Sequence, residues 1–77
     1  MREFDISVCS LKQVQAFVKL AMAQQFEIMV GNERQQINGK DIVGMFSLDY
    51  TRPITVRMEC SEDEFLLFRQ KASLLSI

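Results

Sequence analysis

Polar and apolar residues alternate at the start of the chain. Phe4, Ile6 and Val8 are separated by Asp5 and Ser7, the period of two that a half-buried strand requires. The period then lengthens. Val14, Phe17, Val18 and Ala21 recur at steps of three and four, so a helix is expected from Leu11 to Gln24 with those four side chains on its buried face. Its start is marked by Ser10-Leu11-Lys12-Gln13, a capping box in which the serine hydroxyl accepts from a first-turn amide and the glutamine reaches back. Cys9 and Val14 stand at the positions of a hydrophobic staple. Phe26, Ile28 and Val30 restore the alternation as a second strand. Gly31-Asn32 signals a turn, and Arg34–Ile37 pairs back as a third.

Asp41 is a good N-cap for a short helix reaching Leu48. Beyond it Ile54, Val56, Met58 and Cys60 alternate with Thr55, Arg57 and Glu59, a fourth strand with Pro53 at its start, where a missing amide does least harm. A second capping box, Ser61-Glu62-Asp63-Glu64, opens a last helix over Glu62–Leu75, flanked by Cys60 and Phe65 as a staple. Its three acids suit the positive end of a helix dipole, and Arg69 and Lys71 lie nearer the other end. The order is β-α-β-β-α-β-α. Strands with one apolar face need a cover, and three helices supply it, giving an α+β two-layer sandwich.

Composition narrows the function classes. Seventy-seven residues, 1–77, make a single domain, and 48% hydrophobic with 25% charged residues is ordinary for a folded globular chain. A net charge of −1 lacks the basic surplus that nucleic-acid binding needs. No apolar run approaches a membrane span, and MREFDIS has no signal-peptide layout, so a cytoplasmic protein is expected. The two cysteines, Cys9 and Cys60, read as reduced thiols. The chain has no histidine, so serine–histidine and cysteine–histidine catalysis are excluded. Neither a metal site nor a cofactor is expected, and the chain is not expected to be an enzyme. Glu62, Asp63 and Glu64 crowd one helix start and read as a solvated first turn.

The segment Asn38–Leu48, NGKDIVGMFSL, is the densest apolar stretch. Helical steps of about 100° spread Leu48, Met45, Ile42, Phe46 and Val43 over an arc of roughly 220°, wider than the roughly 100° a core-facing stripe needs. Some apolar surface there must stay exposed unless a loop covers it.

Three segments in order, QAFVKLA from Gln15, GKDIVGMFSL from Gly39 and PITVRMEC from Pro53 with its acidic helix start, resemble the HPr family, the phosphocarriers of the phosphoenolpyruvate-dependent sugar phosphotransferase system of bacteria. The resemblance runs from about Ala16 onward. The middle segment is similar to the family's Ala-Lys-Ser-Ile-Met-Gly-x-x-Ser-Leu. It implies a four-stranded antiparallel sheet covered on one face by three helices. The first and fourth strands would then be antiparallel neighbours, putting Cys9 and Cys60 at opposite ends of the sheet, beyond disulfide reach.

The resemblance breaks at the phospho-acceptor. The family carries phosphate on the histidine of a Gly-Leu-His-x-Arg-Pro stretch; counting back from Phe17 places Ser10 there, Lys12 at the arginine and Gln13 at the proline. A phosphoserine ester is too stable to pass its phosphate onward, so carrier function is expected to be lost and Ser10 and Lys12 to be a degenerate acceptor region. Asp41 falls on the serine that a regulatory kinase phosphorylates in many bacterial members, a fixed charge at a helix start, although aspartate there is first of all a favoured N-cap. Ile42, Val43 and Phe46 match family positions that dock partner proteins; Met45 and Leu48 match core positions. The expectation is a regulatory module binding a phosphotransferase-system component or a transcriptional regulator through Asp41, Ile42, Val43 and Phe46. Two alternatives stand beside it: a divergent carrier accepting phosphate on another residue, and a self-associating module forming a homodimer through the short second helix.

Overall fold

The most regular alternation in the chain forms the middle of a sheet. In ITVRM, Ile54, Val56 and Met58 are fully buried while Thr55 and Arg57 point to the other side. The computed structural model describes residues 2–32 and 34–75. In chain order the elements are β1 (Arg2–Ile6), α1 (Leu11–Met22), β2 (Ile28–Gly31), β3 (Gln36–Asn38), α2 (Ile42–Phe46), β4 (Ile54–Met58) and α3 (Glu62–Leu75). The strand order across the sheet is β1-β4-β2-β3, and every pair is antiparallel.

Register decides which face is buried. Ile6 lies opposite Ile54, and Val30 opposite Val56. These side chains share one face, where α1 contributes Val14, Phe17, Val18 and Ala21, α2 contributes Met45, and α3 contributes Phe68 and Ala72 to a single core. No polar or charged side chain among the described residues is buried in it. Burying each large apolar side chain there is worth about 1.5–3 kcal/mol, which a chain this short needs. Phe68 is the hub, with ring centroids 5.8 Å from Phe17 and 6.2 Å from both Phe4 and Phe26. Among the described residues, no helix covers the opposite face of the sheet, where Glu3 and Asp5 are exposed.

The helices begin where their caps stand. Ser10 Oγ accepts from the Gln13 amide at 3.3 Å, but Gln13 Oε1 accepts from the Cys9 amide at 2.6 Å rather than from that of Ser10. At α3 the box closes reciprocally, Ser61 with Glu64, at 3.2 and 3.0 Å. Several boundaries differ from the sequence-based expectation: β2 begins at Ile28 rather than Phe26, α2 ends at Phe46 rather than Leu48, and β4 ends at Met58 rather than Cys60. Helix α1 stops at Met22, because the chain tightens there: the Gln24 amide donates to Ala21 O at 3.0 Å. Strand β3 starts at Gln36 rather than Arg34, since the amides of Arg34 and Gln35 are both taken by Asn32 Oδ1. Val8 is buried, yet it lies beyond the end of β1.

Cys9 follows the end of β1 that pairs with the start of β4, and Cys60 follows the other end of β4, where its carbonyl accepts from Arg2 Nε. The thiols sit at opposite ends of the sheet and both are free.

Candidate functional site

Helix α2 has five residues, too few to be stable by itself, so its position is imposed from outside. The approach from β3 is fixed by a turn: Asn38 Oδ1 accepts from the Lys40 amide at 2.9 Å, and the Asp41 amide donates to Asn38 O at 3.0 Å. Gly39 passes so close to β2 that a Cβ there would come within 2.9 Å of Ile28 Cγ2. Lys40 Nζ donates to Gln24 O at 2.9 Å, pinning the turn to the segment after α1. Asp41 Oδ1 then caps α2 through the Val43 amide at 3.2 Å.

The other end is held as firmly. Ser47 Oγ donates to Gly44 O at 2.6 Å, and the Tyr50 hydroxyl donates to Met45 O. Met45 and Leu48 are the inward anchors, in the core. With those two committed, helical geometry turns Ile42, Val43 and Phe46 outward, and they remain 37%, 75% and 41% exposed. Asp41 is exposed beside them.

Helix α1 packs against α2, and its first turn opens onto a hollow lined by Val8, Cys9, Ser10, Leu11, Val14, Tyr50 and Thr51. This hollow brings the Ser10 cap together with the loop that follows α2. Ser10 and Lys12 are exposed, and Leu11 is 67% exposed. Neither Lys12 nor the trio Ile42, Val43 and Phe46 lines the hollow.

Tyr50, in the loop beyond α2, is half-buried, packs on the core and ties the loop to α2, while burial pushes its phenol above its ordinary value. Arg52, from the same loop, lies away from this hollow. Lys40 had no signal in the sequence, because its acceptor is a carbonyl sixteen residues earlier. Asp49, in the same loop, accepts from the Thr51 hydroxyl at 2.6 Å and the Thr51 amide at 2.9 Å. Those bonds, hydroxyl first, hold its carboxyl below the usual range, with Arg52 adding to the effect and desolvation opposing it. Among the described residues, no group of three or more acidic or cysteine side chains is placed to hold a metal ion, and no helix is long and apolar enough to cross a membrane.

No family model and no curated protein matches the sequence. Solved structures do. HPr-C-His from Thermoanaerobacter tengcongensis matches 99% of this chain and 91% of its own, with a TM-score of 0.78 at 20% identity. The phosphocarrier protein HPr from Bacillus anthracis matches 97% of this chain and 92% of its own, with a TM-score of 0.67 at 20% identity. A histidine-containing phosphocarrier protein from Mycoplasma matches 99% and 98%, with a TM-score of 0.71 at 15% identity. At these identities the likeness is one of architecture: this chain has the HPr-like α+β fold.

Proposed function

We propose that this chain is an HPr-like cytoplasmic protein of the sugar phosphotransferase system that acts by binding another protein and does not carry phosphate. The observation behind this reading is the outward trio Ile42, Val43 and Phe46, held on a helix fixed at both ends, in a chain that contains no histidine. The partner is a component of that system or a transcriptional regulator. Phe46, about two-fifths exposed, and Val43, three-quarters exposed, supply apolar area that a partner would bury. Completing the burial of each is worth on the order of 1 kcal/mol, and the pre-fixed helix spares part of the ordering cost of association. Asp41 adds a negative charge at the edge of the patch.

Ser10 supports the loss of carrier chemistry. Its hydroxyl is engaged as a helix cap, and no imidazole exists in the chain to hold a labile phosphoryl group. Lys12 is an exposed cation beside it.

Two measurements test the reading. Incubation with labelled phosphoenolpyruvate and the first enzyme of the system is expected to leave no acid-labile label. Label that passes on to a sugar-specific component would establish a carrier instead. The Phe46→Asp variant is expected to keep its melting temperature, because the side chain is partly outside the core, and to lose at least about tenfold in affinity for the captured partner. Equal recovery of the same partners by variant and wild type would refute docking through α2. Sedimentation that shows a concentration-dependent dimer abolished by Phe46→Asp would assign the patch to self-association.

A further inference from the structure

The uncovered face of the sheet has a feature that the docking surface does not use. There the β2–β3 turn and the α2–β4 loop stand on either side of an open hollow of about 630 Å³. Arg34 comes from the turn, Arg52 from the loop and Arg57 from β4; Asn32, Gln36 and Thr55 add polar groups. Next to it, Gly31 lies in the ladder between Gln36 on β3 and Thr55 on β4, and a Cβ there would fall 1.9 Å from Gln35 O, so only glycine lets the β2–β3 turn close this tightly.

Among the described residues, three guanidiniums and one carboxylate line this hollow. That carboxylate, Asp49, is already occupied by the Thr51 amide and hydroxyl. Asp5, on β1, accepts from Thr55 Oγ1 at 2.8 Å. Arg34 and Arg52 make no side-chain hydrogen bond or ion pair among the described residues. Arg57 Nε lies 3.1 Å from Glu3 Oε2, an ion pair between two side chains that are each about half exposed, so the rest of its guanidinium fork stays open to the hollow.

We propose that this hollow binds a small polyanion, a molecule with two or more phosphate or carboxylate groups, through Arg34, Arg52 and Arg57. Guanidinium forks match such groups two bonds at a time, and three of them exceed what a single monoanion can use. The volume is that of a small-molecule site, which argues against an extended strand of nucleic acid. The site stands independently of the docking role proposed for α2.

Inorganic pyrophosphate is the probe. It is titrated at constant ionic strength while amide and arginine Nε–H resonances are followed. The expected result is saturable binding with shifts centred on residues 31–36 and 49–57 and on Nε of Arg57. The exposed pair Arg34→Gln with Arg52→Gln is expected to weaken binding at least about tenfold with the spectrum otherwise intact. Lys19→Gln with Lys71→Gln, which removes the same charge elsewhere, is expected to leave it unchanged. Shifts that do not saturate, that sodium chloride reproduces at matched ionic strength, or that both double variants weaken alike, would overturn the proposal.

Discussion

The hydroxyl of Tyr50 donates to the main-chain carbonyl of Met45, closing the C-terminal end of a five-residue helix with a side chain from the loop beyond it. Because Met45 is fully buried, the bond couples the loop that carries Tyr50 to the core itself.

Tyr50→Phe removes this bond and leaves the ring in place. Net loss of one such hydrogen bond costs about 1 kcal/mol, with more if the Met45 carbonyl is left dry. In a domain of this size that lowers the melting temperature by roughly 4–8 °C. The pH dependence has a defined sign. Burial raises the phenol above its ordinary value of 10.0, so the folded state holds the proton more tightly than the unfolded chain. The linked stability is fully present below about pH 10 and is lost as pH rises through the higher folded value. Tyr50 is the sole tyrosine and there is no tryptophan, so phenolate absorbance reports it alone. Ionisation at the value of a free tyrosine in the folded protein would contradict the burial.

The two thiols are expected to behave differently. Cys60 is half-buried; desolvation first, then the charge of Glu64, raise its thiol above the ordinary value, and Arg2 only partly opposes them. Since the thiolate is the reactive form, Cys60 should alkylate more slowly than the exposed Cys9 at mildly alkaline pH, and the difference should vanish in denaturant. Mild oxidation is expected to yield intermolecular links only. A peptide map showing Cys9 joined to Cys60 within one chain would contradict the antiparallel β1–β4 register.

Local signals make most of this fold readable in the sequence. Both serine caps, the buried face of α1 and the alternation of β4 are each contained within a dozen residues, and all four stand where the spacing puts them. The same arithmetic says that a short helix cannot hide an arc of roughly 220°; the resemblance to HPr says which side faces in, and Met45 and Leu48 are indeed buried while Ile42, Val43 and Phe46 are exposed. What stayed hidden depends on distant segments meeting. Alternation alone does not place the start of β3, because Asn32 draws two following amides into its own turn. The role of Tyr50 has no sequence signal because its acceptor is a main-chain carbonyl. The arginine hollow draws Arg34, Arg52 and Arg57 from three separate elements, and no spacing in a linear sequence announces that.

Asp41 has two readings that one pair of substitutions separates. Its carboxylate caps α2 through the Val43 amide and also sets a negative charge beside the apolar trio. Asp41→Ala removes both and should cost about 1 kcal/mol of stability, the usual value of a lost N-cap. Asp41→Asn keeps a capping oxygen and removes the charge, so its stability should stay within a few tenths of a kcal/mol of wild type once the modest helix-end electrostatics are lost. Partner affinity is then the deciding measurement. If the charge takes part in recognition, Asn weakens binding while the melting temperature holds, and the loss shrinks at high salt because the carboxylate is exposed. If Asp41 is a cap and nothing more, Asn binds as wild type does, and only Ala, by loosening α2 beneath Ile42, Val43 and Phe46, lowers affinity and stability together.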